Sequence, residues 1–184
     1  MDLGAVDRIT TDAIGEPGQR SFYIQARAGD RLVTVLVEKQ QVQLLSASIL
    51  EILSRVDKET GLGPDEEQMA LEAPVEPIWR AGRLSIGYQE ERDLILLEMT
   101  EQLEEDEEEE EGAPEPGRIL AWATREQMLS LSRHGALVCS RGRPTCQFCG
   151  NPMDAEGHWC PAMNGHRERR DTGEPGEAGE AGEA

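Results

Sequence analysis

Apolar residues change their spacing several times along this chain, and each change predicts an element. Phe22, Ile24 and Ala26 alternate with polar neighbours, the period of two of a half-buried strand. Ala28-Gly-Asp30 then closes a hairpin onto residues 32–37, a nearly continuous apolar run suited to a central strand. The period then lengthens. Val42, Leu45, Ile49, Ile52, Leu53 and Val56 recur at threes and fours, which puts them on one face of a helix over about 39–56.

Strand grammar returns with Leu84, Ile86 and Tyr88, a turn at 89–92, and the apolar run 94–97 with Met99. Residues 118–123 predict one more strand. Thr124 and Gln127 then make a capping-box pattern opening a helix to about residue 138, with Met128, Leu131 and Leu137 toward the sheet and His134 surface or packed rather than catalytic. Residues 5–14 predict a first strand without clean alternation, 15–18 (Gly-Glu-Pro-Gly) a turn, and 65–73 a short acidic helix. Gln41, Val42, Leu45 and Ser46 match Gln127, Met128, Leu131 and Ser132 at a constant separation of 86 residues, which suggests two similar halves. The expected fold class is therefore α+β: a mainly antiparallel sheet with two helices packed on one face, plus a small C-terminal zinc-ribbon-like module.

Charge divides the chain further. Residues 1–100 carry 18 acids and 10 bases, 101–117 carry 10 acids and no base, 118–170 carry 4 acids and 8 bases, and 171–184 carry 5 acids. Most of the net charge of −19 thus sits in two segments that bury nothing. The expected organisation is an α+β domain over 5–138 with an acidic disordered loop at about 102–117, a zinc-ribbon-like module over 139–167 and a disordered acidic tail over 168–184. No stretch approaches 18 consecutive apolar residues, which excludes a membrane-spanning helix. The acidic opening Met1-Asp-Leu-Gly lacks an apolar signal-peptide core, so a cytoplasmic location is expected.

The most specific chemistry lies near the C-terminus. Cys146-Gln-Phe-Cys149-Gly150 and Gly157-His158-Trp159-Cys160-Pro161 form a C-x2-C…H-x-C outline. Zinc takes thiolate and imidazole ligands tetrahedrally, and ligand pairs on two tight turns suit it. Gly150 can take positive φ beneath the sulfurs, and 150–159 can form a short hairpin between the pairs. Four protein ligands leave no open position, so the expected cofactor is structural Zn2+ on Cys146, Cys149, His158 and Cys160. Cys139 and His166 are alternatives for the fourth place, and iron is an alternative metal. A disulfide framework would need an oxidising compartment, and a redox C-x-x-C normally opens a helix, whereas glycine and proline follow here.

Residues 15–22 (Gly-Glu-Pro-Gly-Gln-Arg-Ser-Phe), 37–42 (Val-Glu-Lys-Gln-Gln-Val), 91–94 (Glu-Arg-Asp-Leu) and the C-terminal Cys/His pattern together resemble the bacterial family called domain of unknown function 3090. The resemblance covers about residues 5–167. It implies a zinc-ribbon ending on Cys146, Cys149, His158 and Cys160, and no activity. The chain departs from the family pattern at Cys139 and in its acidic insertion, so Cys139 is not a ligand the resemblance implies.

Three functions follow as expectations. The first is a non-catalytic interaction or scaffold module with a protein partner. The second is nucleic-acid binding through Arg141, Arg143, His166, Arg167, Arg169 and Arg170, with Phe148 and Trp159 stacking on bases. The third is an enzyme with a site near Arg20, Glu38, Lys39 and Gln41. Capping and surface pairing are the favoured account of those four residues, and no motif names a reaction.

Overall fold

The computed structural model describes residues 1–103, 115–142, 145–153, 157–163 and the backbone of 167–168. The expected acidic loop and tail fall mostly outside these residues, as do His166, Arg143, Arg169, Arg170 and the side chain of Arg167. The chain divides into two compact units, Met1–Gly142 and Arg143–Ala184.

The first unit contains β1 (Asp2–Ala5), β2 (Arg8–Ile14), β3 (Ser21–Ala28), β4 (Arg31–Val37), α1 (Lys39–Arg55), β5 (Ala81–Gln89), β6 (Leu94–Glu101), β7 (Arg118–Ala123) and α2 (Arg125–Ser140). It is an α+β fold. The single strand expected over 5–14 is two strands, because the chain bends at Val6 and Asp7 to serve different neighbours: Val6 N–H donates to Trp122 O and Asp7 N–H to Arg27 O, both at 2.8 Å. The acidic helix expected over 65–73 shrinks to a 3-10 turn at Glu67–Met69. Tertiary contacts set its course: Gln25, buried on β3, donates to Glu72 O (2.9 Å) and accepts from Glu72 N–H (2.8 Å), while Arg8 and Arg27 pair with the Glu72 carboxylate. Met69 is thereby buried.

The strands form a three-stranded sheet, β2-β3-β4, and a four-stranded sheet, β1-β7-β6-β5. All pairings are antiparallel except β1 with β7, which is parallel. The two halves of the unit repeat one plan of three antiparallel strands and a helix. Each also lends the chain just before its long first strand to the third strand of the other. Ala5 pairs in parallel with Trp122 of β7, and Arg80 forms a parallel bridge with Leu36 of β4. Leu36 and Trp122 stand 86 residues apart, the separation of the matched helical residues.

Those matched residues do matching work. Gln41 Oε1 accepts the Glu38 N–H and its Nε2 donates to Ala81 and Gly82 carbonyls, while Gln127 Oε1 accepts the Thr124 N–H and its Nε2 donates to Val6 and Asp7 carbonyls. In each half one amide caps the helix and ties it to the start of the other half. The helices meet where Ser132 Oγ donates to Ser46 O at 2.8 Å. Gly135 permits this approach, since a Cβ there would lie 2.7 Å from Ser46 Oγ and 3.1 Å from Val42 Cγ1.

The core joins Ile9, Ile24 and Val35 to Ile95, Leu97 and Met99 beneath Val42, Leu45 and Ile49 of α1 and Met128 and Leu131 of α2. Leu137, expected to face the sheet, is instead exposed, and Val138 takes the buried position. At 100° per residue Val138 continues the buried stripe of Met128, Leu131 and Gly135, whereas Leu137 falls on the opposite side from Met128. No helix among the described residues is long and apolar enough to cross a membrane.

Candidate metal centre

In the second unit the first cysteine pair sits on a tight knuckle. Gly150 N–H donates to Cys146 O and Cys146 N–H to Asn151 O, both at 2.8 Å, and Thr145 bridges Pro152 in antiparallel fashion. The chain reverses through Gly150 at φ 73°, a conformation glycine adopts without a Cβ clash. This turn closes around the cysteines themselves, and the hairpin expected over 150–159 runs through 154–156, outside the described residues. The second pair lies on β8 (His158–Trp159), which pairs antiparallel with β9 (Arg167–Glu168), and Cys160 follows at once.

These two pieces bring Cys146 Sγ, Cys149 Sγ, Cys160 Sγ and a ring nitrogen of His158 within 4.8 Å of one another, a group that could hold a metal ion. Cys146 and Cys160 are buried, with sulfurs 3.7 Å apart, far beyond the roughly 2.05 Å of a disulfide. Cys149 Sγ stands 3.4 Å from His158 Nε2. Phe148 N–H points at Cys146 Sγ at 3.4 Å, the kind of backbone donor that stabilises a thiolate. His158 Nδ1 is buried and has no hydrogen-bond partner among the described residues. Among the described residues, Met153 is the one large apolar side chain buried with the cluster, whereas Phe148 and Trp159 are 54% and 75% exposed.

Cys139 is not in this group and belongs to the first unit. It is buried on α2 in the first unit, where its Sγ donates to Lys39 O at 3.8 Å, and burial pushes its thiol pKa up against the opposing charge of Lys39.

Arg20, Glu38 and Gln41 are engaged in turn, ion-pair and helix-tying contacts, and the Lys39 carbonyl accepts from Cys139 Sγ. Arg20 donates to Gly15 O across its own turn, Glu38 pairs with Arg80 at the start of α1, and both ends of the Gln41 amide are used in capping and tying the helix. Arg141 is paired with Glu66.

Sequence reasoning missed a charged node at Asp93. Its carboxylate accepts from Tyr88 Oη (2.7 Å), Arg125 Nε (3.1 Å) and Lys58 Nζ (3.1 Å), and these three, Tyr88 foremost, hold its pKa down at about 2. Arg125 also donates to Glu59 O and Thr60 Oγ1, so the node fastens the chain leaving α1 to the start of α2. The only local signal was that Asp93 lies in the Glu-Arg-Asp-Leu segment.

No curated protein and no solved structure matches the chain. A family model, protein of unknown function (DUF3090), matches residues 1–160 and so covers the first unit, the second as far as Cys160, and all four clustered Cys and His residues. The chain belongs to the DUF3090 family of proteins of unknown function.

Proposed function

We propose that this is a zinc-binding protein in which Cys146, Cys149, His158 and Cys160 hold one structural Zn2+, and that the folded ribbon is a non-catalytic interaction module. The observation that carries the metal is the spacing of the donor atoms. Two thiolates on a tetrahedral zinc, each about 2.3 Å from it, stand about 3.8 Å apart, and a thiolate and an imidazole nitrogen about 3.5 Å. The chain has 3.7 and 3.4 Å. With four protein donors the ion would have no open position and would cross-link two turns that share little apolar surface. The thiols require a reducing setting, which makes the cytoplasm the proposed location. Phe148 and Trp159, large rings left exposed beside the cluster, are the proposed anchors for a protein partner.

The test is metal content of the purified full chain. One zinc per chain in the wild type and in Cys139→Ala, with loss in His158→Ala, supports the reading. Zinc retained by His158→Ala but lost from Cys139→Ala would sink the ligand set. For the interaction module, capture of a protein by the full chain should be lost in Phe148→Ser/Trp159→Ser, with zinc retained.

The same two exposed rings also suit stacking by unpaired bases, which makes single-stranded nucleic acid the second reading. Oligonucleotide binding that weakens steeply with salt and disappears in the double-ring variant would favour it. Its absence at low salt, even after removal of residues 104–111 and 171–184, counts against it.

A further inference from the structure

A cavity of about 380 Å³ lies within the first unit, between residues 62–69 and the side of α2 turned away from α1. Its size falls at the small end of ligand pockets, roughly 300–1,000 Å³. Leu62, Pro64, Met69 and Leu137 supply an apolar wall, and Arg133 and His134 supply nitrogen donors. His134 is only 6% exposed, yet neither ring nitrogen has a hydrogen-bond partner among the described residues. Buried polar groups are normally satisfied, so an orphaned imidazole lining a cavity points to something that fills it.

The charges around the cavity narrow the choice. Asp12 Oδ2 stands 3.8 Å from His134 Nε2, too long for a hydrogen bond. Burial works against the Asp12 charge, but His134, the Ala13 N–H and Arg141 outweigh it and hold its carboxyl below the usual range. The two acids on the rim are already engaged. Glu66 pairs with Arg141, and Asp65 accepts from the Gln68 N–H at 3.1 Å. Ser130 Oγ is committed to Pro64 O at 2.7 Å. Arg133 makes no ion pair or hydrogen bond with any described residue, so the groups left without a hydrogen-bond partner are its guanidinium and the His134 imidazole, which Asp12 faces at 3.8 Å.

We infer that this cavity is a binding site for a small monocarboxylate with an aliphatic or aromatic body, its carboxylate received by Arg133 and His134 and its body lying on Leu62, Met69 and Leu137. A planar carboxylate matches the guanidinium fork. A doubly charged phosphate would meet the nearby Asp65 and Glu66 carboxylates, which a single charge tolerates better. Its lining residues all belong to the first unit.

The test titrates the full, metal-loaded chain with acetate, butanoate, hexanoate and octanoate, with hexanol as the uncharged control, by calorimetry and by the NMR signals of the His134 ring. Affinity should rise by up to roughly fourfold per buried methylene until the cavity is filled, and the ring signals should shift on binding. Hexanol and the Arg133→Gln variant should each bind at least about tenfold more weakly than hexanoate and wild type. Arg133 is exposed, so that variant should keep its fold even where His134→Gln does not. Three results would overturn the site: no saturable binding by any member, affinity independent of chain length, or equal binding by Arg133→Gln.

Discussion

In the first unit Ile24, Val35, Ile49, Ile95, Leu97 and Met128 are fully buried in one contiguous core, whereas the buried apolar cluster described in the second unit is Cys146, Met153 and Cys160. Two of those three residues carry sulfurs of the proposed metal site. One unit therefore has hydrocarbon area to oppose the entropy of ordering its chain, and the other has donor atoms. The lesson is that the two should respond to different insults: loss of packing for the first, loss of metal for the second.

The largest effect should come from Cys149→Ser, or from a strong zinc chelator. Hydrogen exchange across 145–163 should become unprotected while that of β2, β6 and both helices stays unchanged. Loss of protection in both units together would break the distinction. Ile49→Ala should show the converse, destabilising the first unit by about 2–5 kcal/mol in a denaturant titration and leaving zinc content at the wild-type level. Gly135→Ala tests the helix crossing, where the added methyl meets Ser46 and Val42, and should cost about 1–3 kcal/mol of the same transition. Gln41→Ala and Gln127→Ala should each lower stability by roughly 0.5–2 kcal/mol, and by similar amounts, because they hold equivalent places in the two halves. Markedly unequal losses would mean that the likeness of the halves does not extend to their energetics.

The smallest effect is a pH dependence. Asp93 is held at about 2 in the folded chain against an ordinary 3.8, so its contribution is present above about pH 4 and is lost as pH falls toward 2. The stability difference between wild type and Asp93→Asn should shrink over that interval. A difference that persists unchanged at pH 2 would show that charge is not what the node contributes.

Much of this was legible from residues whose signals are local. The spacing of Val42, Leu45 and Ile49 and the Thr124/Gln127 pair marked both helices, and the cysteine spacing marked the cluster. The features that escaped depend on distant partners. The bend at Val6 and Asp7 exists because Trp122 and Arg27 claim successive N–H groups. Residues 66–72 follow Gln25 and the two arginines on β2 and β3 rather than their own helical preference. A lone His134 looks alike in sequence whether it lines a cavity or a solvated face; only the packing of 62–69 against α2 distinguishes them.

The parallel pairings of Ala5 with Trp122 and Leu36 with Arg80 mean that neither half can complete its sheet from its own residues. A half cut from the chain would carry an unpaired strand edge and a helix stripped of its partner, the two features that make a fragment seek a second copy of itself. Residues 78–142 produced alone should therefore run in sedimentation as an intertwined homodimer or aggregate, and a stable monomer would contradict this. Seen that way, the first unit is a dimer whose two subunits share one chain, with residues 56–78 as the tether that replaces concentration by covalent proximity.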